Sequence, residues 1–174
     1  MYIFNLQVKF DLMQSNMPRY TIIMSKFVST VCYIGYSKYM PGTIGTLFAF
    51  VVSVLFKTNY DTSLIIAFLT FIVGVYYSTL YSIFTNNKDP KEVVIDELSG
   101  YFLTLGLNLF TIDSQYINIT IMSFITFRIF DILKPWPISY IDRRTKSGIG
   151  IMLDDIIAGI MASFLSQIFF FLIS

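Results

Sequence analysis

The chain of 174 residues is 55% hydrophobic and only 13% charged, about half the charged share of a soluble domain, which argues against a water-soluble globule. Twelve Lys and Arg against eleven Asp and Glu leave a net charge of +1, so the basic excess typical of nucleic-acid-binding proteins is missing and no nucleic-acid partner is expected. The absence of histidine and the single cysteine exclude Ser-His-Asp and Cys-His catalytic groups, phosphohistidine chemistry, histidine-ligated zinc or haem, and an intramolecular disulfide.

Charge-free apolar segments follow one another along the chain and predict membrane-spanning helices, because about 20 apolar residues cross a bilayer as a helix. Residues 21–38, which precede them, are moderately apolar and predict an interfacial helix. The predicted spans are 42–57, 62–87, 94–111, 116–133 and 150–173. We therefore predict an all-α fold, a polytopic membrane helical bundle with about five spanning helices plus an N-terminal interfacial helix. A soluble helical core is the alternative for the shorter segments.

The basic residues of the connecting loops indicate how these spans are oriented. Ten Lys and Arg lie in the loops on the side of the N-terminus, and only Lys57 lies in the loops of the opposite side. The ten are Lys9, Arg19, Lys26, Lys38, Lys88, Lys91, Lys134, Arg143, Arg144 and Lys146. Because cytoplasmic loops are enriched in Lys and Arg, the N-terminus is predicted to be cytoplasmic and the C-terminus external.

Five acidic side chains lie at the predicted cytoplasmic ends of three spans, at one depth. They are Asp96, Glu97, Asp131, Asp154 and Asp155. Acidic groups at membrane depth are unfavourable, and they usually face a bundle interior, where they pair or bind an ion. One interpretation is that they are ordinary boundary residues, since the first turns of helices favour Asp and Glu. Two adjacent acidic pairs instead favour a divalent cation held between helices, and ligands that are all oxygens suit Mg²⁺.

Arg128, Asp131 and Lys134 follow one another at intervals of three residues, which places them on one helical face. They form either intrahelical ion pairs or a binding site in which the two cations hold an anionic ligand. The loop that follows contains Arg143 in a basic patch that suits anionic headgroups. Gly100 and Gly159 lie one turn beyond the acidic pairs and would let neighbouring helices approach closely.

Four sequence blocks occur in a fixed order along the chain. They are PGTIGTL from Pro41, VIDELSG from Val94, FRIFDILKPWP from Phe127 and GIGIMLDDIIAG from Gly148. Together they resemble the signature blocks of the phosphatidylglycerophosphatase A family, and the resemblance covers about residues 30–165. One departure is Thr46, where many members have Ser, and it retains the hydroxyl. Residues 1–20 are interpreted as an N-terminal extension and 21–174 as a single membrane domain of this type.

The resemblance implies a Mg²⁺-dependent enzyme of the bacterial inner membrane. Such an enzyme removes the terminal phosphate of phosphatidylglycerol phosphate at the cytoplasmic face and yields phosphatidylglycerol. In this hypothesis the catalytic residues are Asp96, Glu97, Asp131, Asp154 and Asp155, and all of them except Asp131 also bind the metal. The residues expected to bind substrate are Thr43, Thr46, Arg128, Lys134 and Arg143.

Several roles within this hypothesis are open at the level of sequence. The two threonines either hydrogen-bond the phosphate or only cap the first span. Asp131 either orients an attacking water molecule or holds Arg128. The nucleophile is either a water molecule or one of the aspartates.

Three other functions are alternatives to the phosphatase. A CDP-alcohol phosphotransferase is also a helical membrane enzyme with an acidic Mg²⁺ site, but its Asp-Gly-x-x-Ala-Arg block is absent from the sequence. A cation carrier or channel would bind its ion through the membrane carboxylates. Against it, the acids lie at one end of the predicted spans, which leaves no polar path across the bilayer. A non-catalytic membrane scaffold is the third alternative.

Overall fold

The computed structural model describes residues 17–108, 115–144 and 148–173. Residues 1–16 of the predicted extension at 1–20 therefore lie outside the described residues. The described ranges consist of helices and turns with no β-strand, which confirms the all-α prediction. The elements are α1 (Arg19–Ser29), a 3₁₀ turn (Ile34–Tyr36), α2 (Pro41–Phe56), α3 (Tyr60–Thr85), α4 (Ile95–Gly106), α5 (Tyr116–Leu133), α6 (Ile138–Arg144) and α7 (Gly148–Ile173).

Three helices, α3, α5 and α7, are long and apolar enough to cross a membrane. They correspond to the predicted spans 62–87, 116–133 and 150–173. Helix α2 is also apolar, but its 16 residues rise only about 24 Å against the roughly 30 Å of a hydrocarbon core. The protein is therefore a helical membrane protein, and by length and composition three of its described helices are long and apolar enough to span a bilayer.

Helix α4 is the largest departure from the prediction, which placed a span at 94–111. It ends at Gly106 after 12 residues, about 18 Å, and ten of those residues are buried. Its last carbonyls find partners inside the bundle, because Asn108 Nδ2 donates to the Thr104 carbonyl (2.8 Å) and Gln167 Nε2 donates to the Leu107 carbonyl (3.1 Å). Such partners are required where water is excluded. Helix α4 is thus the short central helix of the bundle.

The N-terminal helix is also shorter than predicted, since α1 ends at Ser29 and not near residue 38. Three consecutive residues with positive φ, from Val31 to Cys32 and Tyr33, break the helix before the 3₁₀ turn. The end of α1 is docked on the start of α4, because the Val94 N–H donates to the Ser29 carbonyl at 2.9 Å, and Gly35 of the 3₁₀ turn packs against the Glu92 carbonyl oxygen. Exposed apolar side chains on α1 suit an interfacial position; they are Tyr20, Ile23, Met24 and Phe27.

Helices α4 and α7 approach each other closely at Gly100 and Gly159. A β-carbon at residue 159 would lie 2.6 Å from the Gly100 carbonyl oxygen, and one at residue 100 would lie 2.7 Å from the Asp155 carbonyl oxygen. Thr104 Oγ1 also lies 3.2 Å from the Gly159 carbonyl oxygen and donates to it. The packing role expected for these two glycines is thereby present in the fold, and it brings the acidic ends of the two helices together.

Candidate active site

A polar cavity of about 250 Å³ opens at the end of the bundle where α4 and α7 begin and α5 ends. Four of the five predicted carboxylates reach it from the first turn of α4 and the second turn of α7, and the fifth reaches it from the last turn of α5. The predicted site residues that line the cavity are Asp96, Glu97, Asp131, Lys134, Asp154 and Asp155. The fold therefore brings all five carboxylates to one chamber.

Three of these carboxylates form a compact trio. Asp96, Glu97 and Asp155 each offer an oxygen, and these oxygens lie within 4.8 Å of one another. Asp155 is 3% exposed and Glu97 is 9% exposed, so bulk water solvates neither carboxylate fully. Asp96 Oδ1 accepts from the Glu97 N–H at 3.1 Å, which fixes the turn that carries both acids.

The trio has the properties of a site for a hard cation. Glu97 Oε2 is buried and has no hydrogen-bond partner among the described residues, a state that is unfavourable unless something else binds the oxygen. Three neighbouring carboxylates without a compensating cation would repel one another. Oxygen-only ligands of this kind suit Mg²⁺ or Mn²⁺. The donors present therefore fit a divalent metal ion.

Gly42, in the first turn of α2, makes room for the Glu97 side chain. A β-carbon at residue 42 would overlap Glu97 Oε1, and its next neighbours would be the Glu97 carboxyl carbon (3.3 Å) and Arg128 Nη1 (3.5 Å). The α2 start thus closes the chamber from a third side. This contact explains why the PGTIGTL block contains a glycine at residue 42.

Asp154 stands apart from the trio and pairs with Lys134. Lys134 Nζ lies 2.6 Å from Asp154 Oδ2 and 2.7 Å from Asp142 Oδ1, so one ammonium joins α7 to α6. Burial lowers the pKa of Lys134, but the charges of Asp154 and Asp142 outweigh it and hold the pKa above the ordinary value. Lys134 therefore stays protonated. Asp154 Oδ1 is buried without a described partner, which leaves it free for a ligand in the cavity.

Arg128 is held by three contacts that explain the roles of its neighbours. Its Nη1 lies 2.6 Å from Asp131 Oδ2 and 3.2 Å from Thr46 Oγ1, while its Nη2 donates to Thr43 Oγ1 at 3.2 Å. The fully buried hydroxyl of Thr46 also donates to the Gly42 carbonyl at 2.9 Å. Both threonines therefore fix the guanidinium in the structure, and Asp131 pairs with it. The Nε of Arg128 is buried and has no described partner.

Four of the five predicted substrate-binding residues do not line the cavity: Thr43, Thr46 and Arg128, and Arg143, which is exposed on α6. Conversely, the cavity contains residues that the sequence reasoning missed. Asp142 holds Lys134, and its signal was its place as the only acid between Lys134 and Lys146. Lys88 and Lys91 also line the cavity, whereas their positions in the sequence indicate only that they are loop charges that set the orientation.

Comparison with known proteins places the chain in one family. Residues 27–170 match the family model described as phosphatidylglycerophosphatase A. The chain is 35% identical over 133 residues to phosphatidylglycerophosphatase A of Escherichia coli, an alignment that covers 74% of this chain and 73% of the relative. It is 34% identical over 124 residues to the Haemophilus influenzae protein of the same name, which covers 70% and 74%.

A third relative carries a different name. The chain is 35% identical over 134 residues to a Bacteroides thetaiotaomicron protein named "Putative phosphatidylinositol-3-phosphatase", with 72% of this chain and 80% of the relative covered. No solved structure matches the chain significantly.

Proposed function

The chain belongs to the phosphatidylglycerophosphatase A family, and from that membership we propose that it is a Mg²⁺-dependent phosphatase of the bacterial inner membrane. It removes the terminal phosphate of phosphatidylglycerol phosphate and yields phosphatidylglycerol. The observation that carries the chemical part of the proposal is the trio of Asp96, Glu97 and Asp155, with the unpartnered buried oxygen of Glu97.

The trio supplies the metal-binding groups of the proposed reaction. Asp96 and Glu97 would hold the ion from α4 and Asp155 would hold it from α7, so the close packing of the two helices would set the size of the site. When bound there, Mg²⁺ supplies positive charge to the phosphate oxygens and orients the phosphate. Asp154 directs its free Oδ1 from the same turn of α7 and completes the acidic wall.

Two cations supply the charge that a phosphoryl group needs as it is transferred. Negative charge is spread over the phosphate oxygens in that step, and fixed positive groups stabilise it. Lys134 remains protonated between Asp142 and Asp154, at the cavity wall. Arg128 does not line the cavity itself, but Asp131 and the two threonines of α2 fix it beside the cavity wall, where it adds a fixed positive charge next to Asp131.

The position of the site suits a lipid substrate. Three apolar helices embed the protein in a bilayer, and the cavity lies at their polar ends, where the phosphate of a membrane-anchored lipid lies. The ten-to-one distribution of loop Lys and Arg supports a cytoplasmic position for this end, with the short loop at Lys57 on the external side.

The test is phosphate release by the purified protein from phosphatidylglycerol phosphate in neutral detergent micelles. We expect release with Mg²⁺, loss of release in EDTA and recovery when Mg²⁺ is added back. Asp155→Asn should abolish release, whereas Asp61→Asn, at the exposed start of α3, should not. Release that persists in EDTA would refute the metal requirement, and faster release from phosphatidylinositol 3-phosphate would reassign the substrate.

A further inference from the structure

The segment between α3 and α4 forms a basic rim on the candidate active site. Lys88, Asp89, Pro90 and Lys91 line the cavity together with the buried carboxylates. Both lysines are exposed, whereas Glu97 and Asp155 are buried, so the lysines lie at the mouth and the acids lie deeper. With Asp89 between them, the lysines leave this segment with a net charge of +1.

These two lysines differ from Lys134 in having no carboxylate partner in the part of the chain that the structure describes. Lys134 is shared by two carboxylates, but neither Lys88 nor Lys91 forms an ion pair with any residue of the described ranges. An unpaired ammonium at the edge of a cavity is available to an anionic ligand at little desolvation cost.

The rim is attached firmly to the rest of the site. Pro90 is buried, and its carbonyl accepts from the Val93 N–H at 3.0 Å. Gly35 packs so closely on the segment that a β-carbon there would overlap the Glu92 carbonyl oxygen. The backbone that carries Lys88 and Lys91 is therefore held in place beside the first turn of α4.

The substrate of the proposed function carries two phosphates, and this inference rests on that function. Its terminal phosphate is a monoester, and its second phosphate is the diester that joins the headgroup to the diacylglycerol. In the proposed function the deep carboxylates bind the terminal phosphate, through the metal ion that they would hold. The other anion would be repelled by the same carboxylates unless positive groups of the cavity met it.

We propose that Lys88 and Lys91 bind the phosphodiester of the lipid substrate while the terminal phosphate occupies the deep end of the cavity. The two lysines are then specificity-determining residues, because they recognise an anion that a lipid with a single phosphate monoester lacks. They contribute to substrate binding and not to the chemical step, because the diester phosphate does not change in the reaction.

The experiment compares Lys88→Gln, Lys91→Gln and the double variant with the wild type in neutral detergent micelles. The double variant Lys38→Gln/Lys57→Gln is the matched control, because it removes two exposed positive charges that do not line the cavity. KM and kcat are measured for phosphatidylglycerol phosphate. The inhibition constant of inorganic phosphate is measured separately, because inorganic phosphate reports on the site of the terminal phosphate alone.

We expect the cavity double variant to raise KM about tenfold, with kcat within about twofold and an unchanged inhibition constant for phosphate, while the control keeps wild-type values. An unchanged KM would overturn the proposal and leave the lysines as orientation charges that contact bilayer lipid. An equal rise in KM and in the inhibition constant would also overturn it, because the lysines would then bind the terminal phosphate. A wild type that releases no phosphate would refute the proposed function itself, and this inference with it.

Discussion

Gly42 and Glu97 are in such close contact that no side chain larger than a hydrogen atom fits between them. A β-carbon at residue 42 would overlap Glu97 Oε1, and the other atoms nearest to it also belong to side chains and not to the backbone. The start of α2 therefore sets the position of a carboxylate that belongs to α4. This relationship connects the first sequence block of the chain, which begins at Pro41, with the acidic block that begins at Val94.

Gly42→Ala should reduce activity without reducing stability. The added methyl group has to displace the end of the Glu97 side chain, and a displacement of about 1 Å at a reacting centre lowers kcat/KM by roughly 10- to 100-fold. Alanine is the better helix former, so the melting temperature should stay level or rise slightly. Phosphate release and thermal unfolding in the same detergent measure both effects. A variant with full activity would show that Glu97 tolerates other positions.

Gly159→Ala should instead reduce the stability of the fold, because its added methyl group would clash with backbone atoms. A β-carbon there would lie 2.6 Å from the Gly100 carbonyl oxygen, so α4 and α7 would have to separate. Overpacking of this kind costs about 1–3 kcal/mol, which for a chain of this length corresponds to a fall in melting temperature of roughly 2–12 °C. The measurement is thermal unfolding of both glycine variants side by side. An unchanged melting temperature for Gly159→Ala would mean that the two helices are less tightly packed than described.

Asp142→Asn should weaken catalysis only through Lys134. The substitution keeps the shape of the side chain but removes one of the two carboxylates on the ammonium. Because both partners are partly exposed, we expect kcat/KM to fall only about fivefold. In a Lys134→Met background the same substitution should have no further effect, which a double-mutant cycle measures. Equal losses in both backgrounds would show that Asp142 acts independently of Lys134.

Cys32 offers a direct test of orientation, since it is exposed and is the only cysteine of the chain. It lies in the turn that docks on the start of α4, on the side of the cavity. A membrane-impermeant maleimide should label it in inverted membrane vesicles and not in intact spheroplasts. Lys57→Cys in a Cys32→Ser background should give the reverse pattern. Labelling of Cys32 in spheroplasts would place the cavity on the external side.

The sequence predicted the helical class, the bounds of α3, α5 and α7 to within two residues, and the gathering of the acids at one end of the bundle. Hydropathy and charge determine these features, and both are legible in a linear pattern. The length of α4 was not predictable in the same way. Its end depends on hydrogen bonds from Asn108 and from Gln167, and the second of these residues is 60 positions away in the chain.

The pairing of charges within the site was also beyond the sequence. The two adjacent aspartates of α7 looked equivalent, but their side chains leave the helix about 100° apart, so that Asp155 faces α4 and Asp154 faces Lys134. The sequence does not decide whether the threonines of α2 bind phosphate or cap the helix. In the structure, both hydroxyls accept hydrogen bonds from Arg128. Such contacts depend on how helices pack, which composition and spacing do not specify.

The central claim is that Asp96, Glu97 and Asp155 together bind a divalent metal ion. The most direct test is to measure Mn²⁺ binding by the purified protein through the loss of the electron paramagnetic resonance signal of free Mn²⁺. Wild-type protein and Asp61→Asn should remove Mn²⁺ from solution with the same affinity, and Mg²⁺ should compete. Asp155→Asn and Glu97→Gln should each weaken binding by at least about tenfold, with unchanged thermal unfolding. Equal Mn²⁺ binding by all four proteins would contradict the claim.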